Sequence, residues 1–122
     1  MNLFEEKSEY IPDNLFAGNE VPVLIENVTI AKGQVLKRGA VIGIITESGL
    51  GQMVKSSATD GSKVPYAVLS DDIDTTENGT DADTDAEVYI SGYFNSSALI
   101  VTNGETIEIY KNELRKLGIF IK

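Results

Sequence analysis

The sequence contains no cysteine and no histidine. Without cysteine, disulfide bonds, thiolate metal sites and thiol catalysis are excluded. Without histidine, the chain lacks the usual general base near neutral pH and the commonest metal ligand, so a Ser-His-Asp or Cys-His arrangement cannot be built. The serine, threonine and lysine residues have no recognisable base or oxyanion donor beside them in sequence. We therefore predict that the chain is not an enzyme and has no catalytic residues.

Positive charge is also scarce, since ten Lys and Arg stand against 19 Asp and Glu, for a net charge of −9. Such a chain repels phosphate backbones, so we expect no nucleic-acid partner. No window approaches the length of apolar residues that spans a membrane, and we expect no membrane partner. The first ten residues carry neither a basic region nor an apolar region, so no signal peptide is expected.

The length of 122 residues suits one compact domain with an additional terminal segment. Residues 1–20 are predicted to form an extended arm, because apolar residues are isolated there, Pro12 prevents a continuous helix and Asp13-Asn14 favours a turn. Residues 21–122 are predicted to form a β-rich domain. Two interpretations of the arm stay open: a frayed terminus, or a segment that orders on a partner by adding a strand.

From residue 21 onwards, short apolar segments alternate with glycine-containing turns, a pattern typical of an all-β domain. The stretch 40–46 is almost continuously apolar and is predicted to be a fully buried strand, with Gly43 at a bulge or a close backbone approach. Further strands are predicted at 21–25, 28–31, 35–39, 65–69, 86–94 and 119–121.

One helix is predicted, over residues 105–117. Its apolar positions follow a 3.6-residue period on one face, Asn103 is placed to cap its start, and Gly118 is a natural terminator. The residues of the apolar face are Ile107, Tyr110, Leu114 and Leu117. The predicted fold is therefore mainly β, with one short C-terminal helix.

Residues 71–85 are rich in aspartate and are predicted to form a solvated loop, because like charges repel and no core can form there. Asp81, Asp83 and Asp85 match the first ligand positions of an EF-hand calcium loop. The match fails where the motif needs a glycine, at Ala86, and where it needs a bidentate glutamate, at Gly92. We expect no metal site and no cofactor, while weak binding of divalent cations to this loop stays open.

Residues 28–46 contain Lys-Gly and Arg-Gly turns whose rhythm is similar to that of lipoyl and biotinyl carrier domains. Those domains need an exposed lysine at a hairpin tip. Lys55 is the only loose candidate, and its flanking residues do not match. The alternative function is therefore a small β binding module or swinging-arm carrier-like domain of bacterial origin.

Several segments in sequence order carry a family resemblance. The chain resembles the lambda-type head decoration proteins of tailed phages, and the match rests on the order, spacing and total length of these segments. They are residues 10–18 (YIPDNLFAG), 36–43 (LKRGAVIG), 65–69 (PYAVL), the Asp-rich loop, 89–95 (YISGYFN) and 112–119 (NELRKLGI).

The resemblance implies a β-clip-like bent ribbon or small barrel with an extended N-terminal arm. It also implies a virion structural protein of a phage or prophage, which is assembled in the host cytoplasm. As a homotrimer it would bind the major capsid protein on the outer surface of the expanded head and stabilise the capsid. By position, the capsid-binding residues would be Tyr10, Ile11, Pro12, Leu15 and Phe16. The alternative for these residues is packing against the domain's own core.

Overall fold

The computed structural model describes residues 15–18 and 21–122. Short strands dominate these residues, and the predicted mainly β fold with a small barrel and one short C-terminal helix is confirmed. The strands are β1 (Phe16–Gly18), β2 (Ile25–Ile30), β3 (Val35–Leu36), β4 (Val41–Ile44), β5 (Gly51–Met53), β6 (Pro65–Leu69), β7 (Ile73–Asp74), β8 (Thr84–Tyr89), β9 (Gly92–Phe94) and β10 (Ile119–Ile121).

Five strands close into a barrel in the order β2-β5-β4-β6-β8. The longest ladder joins β2 to β8 in antiparallel register, from Ile25 opposite Tyr89 to Ile30 opposite Thr84. Strands β2 and β5 are parallel, and the other barrel pairs are antiparallel. Inside the barrel lies one hydrophobic core, formed by Val28, Ile30, Leu36, Ala40, Ile42, Ala67, Leu69 and Val88.

A second core lies against the outside of the barrel. It is covered by a small sheet of order β10-β9-β1 and by the C-terminal helix. Its members are Leu15, Val41, Val54, Val68, Phe94, Leu99, Tyr110, Leu114 and Ile119. Strands β4 and β6 supply side chains to both cores, because successive residues of a strand point to opposite faces.

This double burial explains the continuous apolar run that predicted a buried strand at 40–46. Val41 belongs to the outer core and Ile42 to the barrel core, and both are fully buried. The strand is shorter than predicted, because it spans Val41–Ile44 and residues 44 and 45 are only half-buried. The prediction for Gly43 is confirmed. A Cβ atom there would lie 2.2 Å from the Ser62 carbonyl oxygen, and the ladder to β6 shifts register between Ile42 and Gly43.

The C-terminal helix differs in detail from the predicted one. Residues Ile107–Tyr110 form a 3₁₀ helix, and the α-helix, α1, runs only over Lys111–Leu117. The tighter 3₁₀ turn changes the angular spacing, so Tyr110 and Leu114 are buried but Leu117 is 45% exposed. The cap position is held by Thr106 and not by Asn103. Gly118 ends α1 in the left-handed conformation, as predicted.

Other parts of the prediction also differ from the structure, and the strand predicted at 35–39 ends at Leu36. Strand β2 begins at Ile25, so residues 21–24 lie outside it. The predicted strand 86–94 is divided into β8 and β9, with a break at Ile90-Ser91. The acidic stretch 71–85 is more ordered than a solvated loop. Strand β7 pairs with β3, and Thr75, which directly follows β7, is completely buried.

The predicted division at residue 20 falls just after β1, which pairs with β9, and Leu15 contributes to the outer core. In the described part of the chain, no helix is both long and apolar enough to cross a membrane.

Candidate interaction surface

The strand nearest the N-terminal residues, β1, is held by aromatic packing. The Phe16 ring stacks on Phe94 with centroids 5.0 Å apart and meets Tyr89 edge-on at 5.1 Å. Leu15, at 2% exposure, fills the outer core, and its carbonyl accepts a hydrogen bond from the Asn95 amide at 2.9 Å. Because edge-to-face and offset-stacked rings add directional preference to burial, these contacts fix the position of β1 on the domain.

Arg38 joins this aromatic group to the barrel. Its Nη1 donates to the Ser70 carbonyl at 2.7 Å and to the Tyr89 hydroxyl at 2.9 Å. The guanidinium carbon also lies 5.8 Å from the centroid of Phe16 and 5.7 Å from that of Tyr89. These distances suit cation–π contacts. One side chain therefore fixes the position of Phe16 relative to the barrel wall.

Two concave surfaces flank β1 and share Val21. The first, which we call the cationic groove, has a volume of about 400 Å³. The second has a volume of about 540 Å³ and lies along β1 itself. The cationic groove is lined by Val21, Tyr93, Lys111, Arg115, Phe120 and Ile121, and the second cavity by Phe16, Ala17, Gly18, Val21, Pro22 and Val23.

Residues 22–25 form an exposed apolar ridge beside these cavities. Val23, Leu24 and Ile25 are 40%, 57% and 56% exposed. The backbone of the ridge is nevertheless held: the Leu24 amide donates to Ser91 Oγ at 3.0 Å, and the Leu24 carbonyl accepts from Ile90 at 3.0 Å. Consecutive exposed apolar residues on a fixed backbone are typical of a protein–protein contact.

The predicted site residues are distributed as follows. Tyr10, Ile11 and Pro12 lie outside the described residues. Leu15 is buried, and Phe16 is half-buried in the aromatic group. The ridge and the groove could not be predicted from the sequence, because an apolar run such as residues 21–25 is typical of an ordinary strand. Pro22, which is unfavourable inside a strand ladder, was the available signal.

The acidic loop has internal partners for its carboxylates. Asp81 lies 3.5 Å from Lys32 Nζ, Asp83 accepts from the Lys32 amide at 2.8 Å, and Asp85 accepts from Thr29 Oγ1 at 2.6 Å. Among residues 15–18 and 21–122, no group of three or more acidic side chains is arranged to hold a metal ion. The three aspartates therefore form their polar contacts with Thr29 and Lys32 of the same chain.

The carrier-like alternative requires a lysine at a hairpin tip. Lys55 lies beyond β5, whereas the turn of the β4–β5 hairpin spans residues 45–50. Its amide donates to the Ser62 carbonyl at 3.4 Å. The structure thus places Lys55 away from the tip.

The carboxylates with displaced pKa values are not poised as acids or bases near neutral pH. Hydrogen bonds from Ser62, Thr76 and Ser56, respectively, lower the pKa values of Asp60, Asp74 and Glu105. A general base would instead need its pKa raised towards the working pH. These three carboxylates accept hydrogen bonds from loop residues and so stabilise the loop conformation.

The fold and this surface define a class: a small β protein with an exposed apolar contact face next to a firmly held N-terminal strand. The family model of the bacteriophage lambda head decoration protein D matches residues 5–119. The chain belongs to this family, and its family is that of structural proteins of the phage capsid. The location that follows is the virion capsid, and the partner is the capsid shell. No curated protein matches the chain significantly.

Proposed function

We propose that the protein binds the outside of the expanded phage head as a homotrimer and stabilises the capsid against the pressure of packaged DNA. The observation that carries this proposal is the family match over residues 5–119, together with a strand β1 that is fixed next to the N-terminal residues. The partner is the major capsid protein, and the site of assembly is the host cytoplasm.

The contact with the shell is made by the N-terminal arm, through Tyr10, Ile11, Pro12, Leu15 and Phe16. The arm adds a strand to an edge of a capsid subunit, with main-chain hydrogen bonds giving affinity and apolar side chains giving specificity. Leu15 and Phe16 are packed into the domain, so their part is to fix the point and direction from which the arm leaves.

The exposed apolar ridge at residues 22–25 supports self-association. A monomer that exposes Leu24 and Ile25 by more than half gains free energy when a second copy covers them. Trimers repeated over a shell need only modest affinity at each site, because simultaneous contacts add through avidity. The acidic loop, which faces solvent, keeps decorated particles apart.

Co-sedimentation with empty heads of the protein's own phage tests the proposal, using expanded and unexpanded heads. The informative truncation removes residues 1–14 and keeps Leu15, because Leu15 belongs to the core and its loss would perturb the fold. We expect saturable binding of the full chain to expanded heads only, and loss of that binding on truncation.

Binding that survives the truncation would leave the decoration role in place and move the contact into the folded domain. The absence of binding to either form of the head would contradict the role itself. Sedimentation velocity of the free protein and head-bound stoichiometry test the trimer separately.

A further inference from the structure

The cationic groove carries two neighbouring positive charges that have no ion-pair partner among the described residues. Lys111 and Arg115 are four residues apart on α1 and therefore lie on the same helix face. Both line the groove, and neither forms an ion pair with another described residue. By contrast, Lys32, Lys37 and Lys116 lie within ion-pair distance of Asp81, Asp72 and Glu113.

The floor of the groove is apolar. Phe120 is 38% exposed, although its neighbour Ile119 is fully buried, and the Phe120 ring lies beside Tyr93 and Ile121 in the groove lining. A volume of about 400 Å³ is at the small end of the range for sites that enclose a compact ligand. It accommodates a few side chains of one extended segment and is too small to receive a broad, folded surface.

The groove also lies next to the root of the arm. Val21 belongs both to the groove and to the cavity along β1, so the two surfaces are continuous. A partner that receives the arm therefore has its own surface within reach of Lys111 and Arg115. Because the proposed arm contact brings the capsid shell to this side of the domain, we assign the shell as the occupant. Pro22 and Val23 of the ridge also line the second cavity, so a second copy is the competing occupant that the test has to distinguish.

We propose that the cationic groove binds an extended segment of the major capsid protein that carries both carboxylate and apolar side chains. The carboxylates lie against Lys111 and Arg115, and an apolar side chain packs on Phe120. The arginine guanidinium suits this role because it can hold a carboxylate through two parallel hydrogen bonds. This inference rests on the proposed decoration function and adds a second contact to that of the arm.

Charge reversal on α1 provides a matched test. Arg115→Glu reverses a groove charge, while Lys116→Glu makes the same change in net charge one residue away, at a side chain that pairs with Glu113 and does not line the groove. Binding to expanded heads is measured by co-sedimentation over a range of protein and NaCl concentrations. Circular dichroism confirms that both variants are folded.

We expect Arg115→Glu to weaken head binding about tenfold or more, with Arg115→Gln intermediate, and Lys116→Glu to stay within about twofold of the unaltered protein. The salt dependence of binding should become shallower in Arg115→Glu, because an attractive charge contact has been lost. Phe120→Ser, which removes the apolar floor, should weaken binding without changing the salt dependence.

Three outcomes would overturn the groove proposal. If removal of residues 1–14 abolishes binding but Arg115→Glu has no effect, the decoration role stands and the groove contact is wrong. If Arg115→Glu instead changes the sedimentation coefficient of the free protein, a second copy occupies the groove. If the unaltered protein binds no heads, the proposed function fails, and the groove proposal fails with it.

Discussion

The barrel and the small sheet differ in how far their strand edges, polar groups and charges find partners within the described part of the chain. The barrel is a closed ring of five strands, so its ladders leave no edge within the ring. The fully buried Thr75, next to the barrel, also has partners, since its hydroxyl accepts a hydrogen bond from the Gln34 amide and donates one to the Ala31 carbonyl. Two lysines on its outside lie within ion-pair distance of aspartates, Lys32 of Asp81 and Lys37 of Asp72.

The small sheet is less complete. Among the described strands, β1 and β10 form its edges, and Phe120 on β10 is substantially exposed. Next to it lie the apolar ridge and the side chains of Lys111 and Arg115, which form no ion pair within residues 15–18 and 21–122. Exposed edges and apolar side chains are a liability unless a partner covers them. Both regions have a buried core, but the unsatisfied edges and exposed apolar side chains lie on the side of the small sheet, and this is where we propose that a partner binds.

The largest expected effect is the loss of unfolding free energy when one large side chain of a core is truncated. Phe94 is fully buried under the small sheet and stacks on Phe16, so Phe94→Ala should lower the free energy of unfolding by about 3–5 kcal/mol. Leu69→Ala, in the barrel core, is the matched control and should cost about 2–5 kcal/mol. Urea unfolding followed by circular dichroism measures both.

Head binding then distinguishes the two variants under conditions in which each is still folded. Phe94→Ala should weaken binding, because the support of β1 is lost, whereas Leu69→Ala should bind normally. Equal losses in both variants would show that the sheet has no special part in binding.

A smaller effect is expected from the buried hydroxyl of the barrel side. Thr75→Val keeps the shape of the side chain but leaves the Gln34 amide and the Ala31 carbonyl without their partner. The expected cost is about 1–3 kcal/mol of unfolding free energy, with no change in head binding. Thr80→Val, at an exposed position, is the control, and a cost for Thr75→Val no greater than that of Thr80→Val would contradict this account.

Local features of the fold could be predicted from the sequence. The strand at Pro65–Leu69 and the termination of α1 at Gly118 are confirmed, because alternation, turn residues and left-handed glycine act over a few residues. The apolar run of β4 correctly indicated burial on both faces. The same run could not show that its two faces belong to separate cores, since that depends on the positions of distant elements.

The interaction surface was much less predictable. The groove brings together Val21, Tyr93 and α1, which are far apart in sequence and share no motif. The apolar character of residues 22–25 indicated burial, whereas the structure leaves Val23, Leu24 and Ile25 exposed. Likewise, Arg115 suited the negative end of the helix by its position alone, which concealed its place in the groove.

The buried hydroxyl of Tyr110 gives a prediction about the pH dependence of stability. Tyr110 lies in the outer core, and burial, followed by its hydrogen bond to Glu105, raises its pKa from 10.0 to about 12. Because the folded-state pKa is above the unfolded value, this contribution to stability is complete below pH 10 and is lost as the pH rises towards 12.

Phenolate absorbance in alkaline titration, with unfolding followed in parallel, measures this effect. Tyr110→Phe should remove the titration phase near pH 12 and reduce the alkaline loss of stability. Tyr93→Phe is the control, because Tyr93 is only partly buried and lines the groove. An unchanged titration in Tyr110→Phe would mean that the hydrogen bond between Tyr110 and Glu105 does not contribute to the stability of the folded chain.

The smallest effect is expected at the paired charges of the barrel. Lys32 and Asp81 are 3.5 Å apart with side chains 60% and 57% exposed, so solvent screens their attraction. Lys32→Ala should change the unfolding free energy by less than about 1 kcal/mol and leave head binding unaltered. Co-sedimentation beside Arg115→Ala makes the comparison direct, since each change removes one positive charge. If Lys32→Ala weakened binding as much as Arg115→Ala, the effect would follow net charge and not position, and the division between a self-contained barrel and a binding sheet would be lost.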